Sequence, residues 1–352
     1  MLDLITDVAG IRVGNTHDDD MISGTTALVF DNPCVASVAV FGGAPAGRDL
    51  GCLDPDAAVE RIDAVVLSGG SGFGLDAASG VQAWLREKGR GFKVGSALVP
   101  IVPAAICFDL NNGGNKDWGR HSPYRELGFA AAEAARHGPF PLGTIGAGYG
   151  ASTVDLKGGL GSASATTTAG HTVAAIVVVN ALGSALLGNG PHFWAAALER
   201  GTEFGGLGFP ARTACTSIPL DWKGRNASDQ PTPPSTTIAC VATDAILDKA
   251  QAKRLAIAAN AGLARGLRLS HAVMDGDTIF AVSTTKRPLT GGIQDLLEIG
   301  ALGADCLSRA IARAVYEASR PVSHAGGRGR WQGPPAWRER FAGSTAGNDR
   351  KS

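Results

Sequence analysis

A proline-rich polar stretch runs directly into a β-patterned one at PTPPSTTIACV, Pro231 to Val241, through the hydroxyl residues Ser235, Thr236 and Thr237. A hydroxyl placed there has a specific chemistry open to it. Thr236 Oγ can attack the carbonyl carbon of Ser235 and convert that amide to an ester by an N-to-O acyl shift, after which water releases two chains. Pro233 and Pro234 on one side and a buried strand on the other would hold the bond, and a distortion of about 1–3 kcal/mol is within what proteins tolerate at one backbone site. The freed Thr236 would carry an α-amine of reference pKa about 8, able to take the proton from its own hydroxyl. The ordinary alternative is a loop entering a strand, with the Ser235 and Thr236 hydroxyls bonding nearby backbone groups.

Other constellations are weaker. His121, His171, His192 and His271 have neither triad nor metal-ligand spacing, and no GxSxG occurs. GAGYGA at Gly146–Ala151 formally fits a dinucleotide fingerprint, but HGPFPLGTI before it is a poor strand, and His171 and Thr172 stand where a ribose-binding acid is required. GGSGFG, beginning at Gly69, lacks that spacing. Gly70 and Ser71 within it are expected to line a substrate cleft or to start a helix.

The chain of 352 residues is 44% apolar, enough for a sizeable core. Lys plus Arg and Asp plus Glu balance at 32 each, which disfavours nucleic acid as a partner and suits a neutral or zwitterionic small substrate. Six scattered cysteines form no C-x-x-C pair and are expected to be reduced. The start, MLDLITDVAG, does not read as a signal peptide, and no apolar run reaches membrane-spanning length, so a soluble cytoplasmic protein is expected. Neither a metal nor an organic cofactor is implied.

The elements that must position Thr236 alternate. Strands are predicted at Thr26–Phe30, Val35–Phe41, Ala64–Leu67, Val99–Phe108, Val173–Val179, Thr237–Ala242 and Thr278–Ser283. Helical stripes run from Gly74 to Leu85, from Ala252 to Leu267 and from Ile293 to Val315. VAAIVVV is apolar on both faces, which implies a sheet covered on each side and hence stacked layers of helix and sheet. Residues 221–234 read as an exposed linker, and residues 320–352 as a disordered tail.

Seven passages resemble the L-aminopeptidase/D-esterase family, which includes β-peptidyl aminopeptidases and nylon-oligomer hydrolases. They are DVAGIRVGNTHD, VVLSGGSGFGLDAASGVQAWL, VPIVPAAICFDL, GAGYGASTVDLKGGLGSAS, VVVNALG, STTIACVATDA and MDGDTIFAVSTT. The resemblance covers the chain to about Arg320. It implies an α/β fold, a four-layer αββα sandwich similar to N-terminal-nucleophile hydrolases with different connectivity. It also implies self-cleavage within a single domain, 1–319, giving chains 1–235 and 236–352 that stay together, and homo-oligomers, tetrameric or larger.

Carried over by residue, the resemblance makes Thr236 the nucleophile and Ser235–Thr236 the bond cut. Asn180 becomes a side-chain donor to the oxyanion, Asp275 and Asp277 orient the nucleophile and its amine, and Lys157 lies near the active site. On the residues alone, Asn180 would support a turn, Lys157 would be a surface lysine, and Asp275-Gly276 would be a hairpin turn. Two departures stand out: Cys107, expected at the substrate, occupies a place where several members have tyrosine, and Ser235 one where members have glycine or asparagine. The acidic pair resembles the nylon-oligomer branch rather than the aminopeptidase branch. The expected function is hydrolysis of peptide, amide or ester substrates through an acyl ester on Thr236. An acyltransferase of the ornithine acetyltransferase type and an uncleaved binding protein are the alternatives.

Overall fold

Two β-sheets share one long strand. The computed structural model describes residues 1–210, 220–225, 234–322 and 328–343. In chain order the strands are β1 (Ile11–Asp18), β2 (Ser23–Val40), β3 (Gly47–Arg48), β4 (Ile62–Ser68), β5 (Phe92–Val94), β6 (Ala97–Val99), β7 (Ala104–Ile106), β8 (Gly159–Thr166), β9 (Thr172–Asn180), β10 (Thr236–Ala245) and β11 (Thr278–Arg287). The helices are α1 (Ala77–Glu87), α2 (Tyr124–Ala134), α3 (Lys249–Gly266), α4 (Ile293–Tyr316) and α5 (Trp337–Arg340). The first half of β2 pairs with β1 and β4, and its second half with β11. From there one sheet continues through β7 to β3 and the other through β10 and β9 to β8. The change of sheet falls at Asp31-Asn32-Pro33, where pairing with β4 loses register and two of the three residues are exposed. Proline cannot donate to a ladder and belongs at such a bulge. The two strands predicted at 26–30 and 35–41 are therefore one bent strand.

Three apolar clusters define four layers. Leu28, Val65, Ile176, Ile238, Cys240 and Phe280 fill the space between the sheets. Val81, Leu85, Ala131 and Ala132 pack α1 and α2 on the outer face of the first sheet through Val29 and Val66. Leu255, Leu263, Leu307 and Ile311 pack α3 and α4 on the outer face of the second through Val177 and Val241. The order is helix, sheet, sheet, helix, as expected for an αββα sandwich. Every residue of β10 is buried, because both its neighbours and both its faces are occupied.

The three helical stripes are α1, α3 and α4, while α2, β1 and glycine-rich β8 went unpredicted. Glycine serves β8 because α4 lies directly on it: a Cβ on Gly161 would meet Ala310 O at 1.9 Å. Val99–Phe108 is broken by Pro100 and Pro103 into the end of β6 and the short β7. Asp275-Gly276 is no hairpin turn, since β11 runs parallel to β10 and antiparallel to β2.

The linker and tail expectations need correction where the structure describes them. Lys223 and Gly224 are partly buried; residues 226–233, including Pro233, lie outside the described residues, as does Cys215. Beyond Arg320, residues 328–343 are packed on the body, with Trp337 fully buried against Phe193, Tyr316 and Phe341. Composition hid this, because a few aromatic anchors hold a segment otherwise rich in Gly, Pro and Arg. Residues 323–327 and 344–352 lie outside the described residues. Among the described residues no helix is long and apolar enough to cross a membrane, and the five described cysteines are free.

Gly161→Ala is expected to lower unfolding free energy by about 1–3 kcal/mol, the usual cost of overpacking. Gly51→Ala, where nothing lies within 4 Å of the added carbon, should change it by less than about 0.5 kcal/mol. Urea unfolding of both variants checks this, and equal effects would contradict the packing argument.

Candidate active site

Strand direction brings distant residues to one sheet edge. β10 and β11 are parallel and begin at the same edge, while β9 is antiparallel and ends there. Thr236, the first residue of β10, is thus the direct cross-strand partner of Asn180, the last of β9. Asp277 immediately precedes β11, and Asp275 forms an isolated parallel bridge with Ser235. All five side chains are buried.

The Ser235 carbonyl is held from two directions. Gly276 N–H donates to its oxygen at 2.8 Å, and Thr236 Oγ1 lies 2.5 Å from the same oxygen and donates to it. Ser235 N–H donates in turn to Met274 O at 3.0 Å. Neither Ser235 nor Thr236 has a positive φ, and hydrogen bonds position the bond between them. Glycine is required at 276: a Cβ would stand 2.8 Å from Thr236 Oγ1 and 3.0 Å from Ala44 O.

The two acids have different surroundings. Asp277 Oδ1 accepts Thr237 N–H and Oδ2 accepts His271 N–H, both at 2.8 Å. His271 Nδ1 is also 3.1 Å from Oδ2, an ion-pair distance without hydrogen-bond alignment. Asp275 Oδ2 accepts Ala272 N–H at 3.1 Å, but its buried Oδ1 has no well-formed hydrogen bond. Burial, and then the charge of Asp277, raises the Asp275 pKa to about 7; Ala272 N–H, the Lys223 ammonium and Leu182 N–H oppose this.

Asn180 is pinned by three partners. Its Oδ1 accepts Ser152 N–H at 3.0 Å and the Lys223 ammonium at 3.2 Å, and its Nδ2 donates to Phe108 O at 2.8 Å. Lys223 is a site residue that sequence reasoning missed by reading its surroundings as an exposed linker. Burial of the ammonium lowers its pKa to about 8, against the charge of Asp275. Gly276, Ser152 and His271 were missed as well. The first two act through backbone N–H groups, which carry no residue-type signal.

A cavity of about 690 Å³ opens onto Asn180 and Lys223. Its lining includes Phe108, Asp109, Thr153, Pro234, Met274 and Trp331, mostly apolar with a few polar groups, and its size suits a small-molecule ligand. Of the residues expected at the site only Asn180 lines it: Thr236, its cross-strand partner, lies behind it with Ser235, Asp275, Asp277 and Lys157, and the three residues expected at the substrate, Cys107, Gly70 and Ser71, are not part of it either. Cys107 is buried in the layer between the sheets, and the neighbouring Phe108 faces the cavity instead; burial pushes the Cys107 thiol well above its usual pKa. Gly70 takes a left-handed φ of 83° and donates its N–H to Asp109 Oδ1 at 2.7 Å, while Ser71 donates to Cys107 O at 3.0 Å. The pair opens the 3₁₀ turn before α1, so the helix-start reading of GGSGFG is the one the geometry bears out.

Lys157 is fully buried and not exposed, and its ammonium donates to the carbonyls of Gly148, Ala151 and Gly158 at 3.1, 2.9 and 2.9 Å. Burial lowers its pKa to about 7. Those contacts commit its donors to the loop carrying Ser152 rather than to Thr236. The GAGYGA glycines form a short 3₁₀ turn, Gly146–Gly148, with no strand before it. Among the described residues no group of three or more His, Cys, Asp or Glu could hold a metal ion.

Known proteins share this arrangement of chain and fold. An uncharacterised aminopeptidase of Mycobacterium tuberculosis (strain ATCC 25618 / H37Rv) is 38% identical, covering 97% of this chain and 98% of that protein. A 6-aminohexanoate-oligomer endohydrolase of Paenarthrobacter ureafaciens is 27% identical over 89% of this chain and 85% of its own length. Among solved structures, a Burkholderia sp. β-aminopeptidase superposes with TM-score 0.65 at 22% identity, covering 95% of this chain and 91% of that one. The L-aminopeptidase D-Ala-esterase/amidase of Ochrobactrum anthropi, described as a variant of the Ntn hydrolase fold, gives 0.66 at 20% identity, covering 93% and 90%. The sequence profile of peptidase family S58 matches residues 3–328, and the chain belongs to that family, whose members hydrolyse amide bonds.

Proposed function

We propose that this peptidase matures by cutting its own Ser235–Thr236 bond and then hydrolyses short peptides, amides or ω-amino-acid oligomers with Thr236 as the N-terminal nucleophile. The observation that carries this reading is the Ser235 carbonyl, held by Gly276 N–H with the Thr236 hydroxyl 2.5 Å from its oxygen. In the first step Thr236 Oγ bonds to the Ser235 carbon, and the negative charge that develops on oxygen falls on the Gly276 N–H. The C–N bond breaks, the hydroxyl proton reaches the departing nitrogen, and water then hydrolyses the ester. Asp275, bridged to Ser235 and lacking a full set of donors on Oδ1, is the group assigned to carry that proton.

The cut leaves Thr236 with a free amine beside its own hydroxyl and the place of the Ser235 carbonyl open to a substrate carbonyl. One oxyanion site then serves maturation and turnover alike. The second N–H of the Asn180 amide supplies its other donor, the amide being oriented by Ser152 and Lys223. Asp277 holds the start of β10 through Thr237 N–H, and Asp275 pairs with the new ammonium. Lys157 positions: it braces the loop whose Ser152 holds Asn180. The two products, residues 1–235 and 236–352, remain together because β10 is buried between β9 and β11.

Thr236→Ala is expected to stay one chain on denaturing electrophoresis and to lose amide hydrolysis by at least about a thousandfold. Asn180→Ala should lower kcat by about 100- to 1000-fold, the cost of one oxyanion donor. A Thr236→Ala protein that still splits at this bond would refute the assignment.

The pH dependence has a definite sign. The folded value for Asp275, about 7, lies above the unfolded one of about 3.9. The uncut fold therefore retains a proton that the unfolded chain has lost across that window, and stability falls as pH rises through it. In the uncut Thr236→Ala protein, unfolding free energy should drop between pH 5 and pH 8 by about 2–3 kcal/mol, and Asp275→Asn should flatten the drop. The rate at which fresh wild-type chain splits should rise over the same window as the carboxylate forms. Equal rates at the two ends would contradict the role given to Asp275.

A further inference from the structure

The segment that begins where the family-wide match ends forms part of the cavity wall. Residues 328–337 run along the cavity, held to the body by a series of hydrogen bonds. Gly329 N–H donates to Asp20 Oδ1 at 2.8 Å, Arg330 N–H to Gly113 O at 2.8 Å, and Gln332 N–H to Asn112 O at 2.9 Å. Lys157 N–H donates to Pro335 O at 2.8 Å, and buried Trp337 closes the run with Nε1 donating to Pro191 O at 3.1 Å. Between the anchors, Trp331, Gly333 and Pro334 line the cavity that also holds Asn180 and Lys223. The Trp331 indole is fixed by its own turn, Nε1 donating to Pro334 O at 3.0 Å, and it lies over the Lys157 ammonium at 5.1 Å. A rigid aromatic fixed at both ends of its segment and turned toward a substrate cavity limits what enters it.

We propose that residues 328–337 are a specificity strap, with Trp331 and Pro334 setting how large an acyl group can reach the nucleophile. This rests on the reading of the site given above. Loss of the indole enlarges the cavity on the strap side, so bulky acyl groups gain relative to small ones. Trp331→Phe keeps most of that wall. Pro334→Ala trims the same wall and carries the test should Trp331→Ala fail to fold.

The experiment compares kcat/KM for alanine p-nitroanilide and phenylalanine p-nitroanilide in full-length wild type, Trp331→Ala, Trp331→Phe and Pro334→Ala. Trp331→Ala should raise the phenylalanine-to-alanine ratio by about tenfold, the scale of discrimination that one pocket contact supplies. Trp331→Phe should stay within about threefold of wild type, and Pro334→Ala should move the ratio in the same direction as Trp331→Ala. A ratio unchanged in Trp331→Ala and Pro334→Ala, or equal losses on both substrates, would overturn the strap while leaving the reading of the site intact. A wild-type chain that is uncut and hydrolyses neither anilide would overturn both.

Discussion

One carbonyl group organises this site. Ser235 is the last residue before a strand that is paired on both sides and buried on both faces, so its carbonyl has no freedom to swing toward solvent. Gly276 N–H fixes the oxygen, and the absence of a side chain at 276 leaves room for the Thr236 hydroxyl. Asp277 anchors Thr237 N–H, and the cross-strand pairing of Thr236 with Asn180 sets the distance to the amide. The four layers serve this arrangement by burying β10 between two paired neighbours, which holds the peptide bond at its start in place. Many weak contacts together position the bond.

Around that carbonyl lie polar groups that are costly to bury and are paired accordingly. Lys157 is satisfied by three carbonyls and Lys223 by Asn180, while Asp275 keeps an oxygen without a well-formed partner and has its pKa raised to about 7. A carboxyl that changes charge near neutral pH beside the Ser235–Thr236 bond suits proton traffic better than structural support. The lysines divide differently: Lys157 points away into backbone, whereas Lys223 faces both Asn180 and the cavity.

The sequence carried the architecture well where periodicity was long. α1, α3, α4, β9, β10 and β11 follow from their apolar stripes, and the helix-sheet layering follows from VAAIVVV. What it could not carry was set by contacts between distant segments. The bend of β2 at Pro33, and glycine-rich β8 under α4, look like turns until the opposing layer is seen. At the site, Thr236, Asn180, Asp275 and Asp277 come together at one sheet edge. Cys107 lies in the layer between the sheets while its neighbour Phe108 lines the cavity, and Gly70 and Ser71 open the 3₁₀ turn before α1. Lys223 and the strap at Trp331 were hidden in segments whose composition reads as linker and tail. Gly276 contributes through its backbone, which no residue-type pattern marks.

Everything proposed for this site depends on the Ser235–Thr236 bond being the one the chain cuts. Intact-mass spectrometry and N-terminal sequencing of the purified protein test it directly. Two polypeptides are expected, residues 1–235 and 236–352, with the smaller beginning Thr-Thr-Ile-Ala-Cys. A single full-length chain after prolonged incubation at pH 8, or a smaller fragment beginning at any other residue, would contradict it.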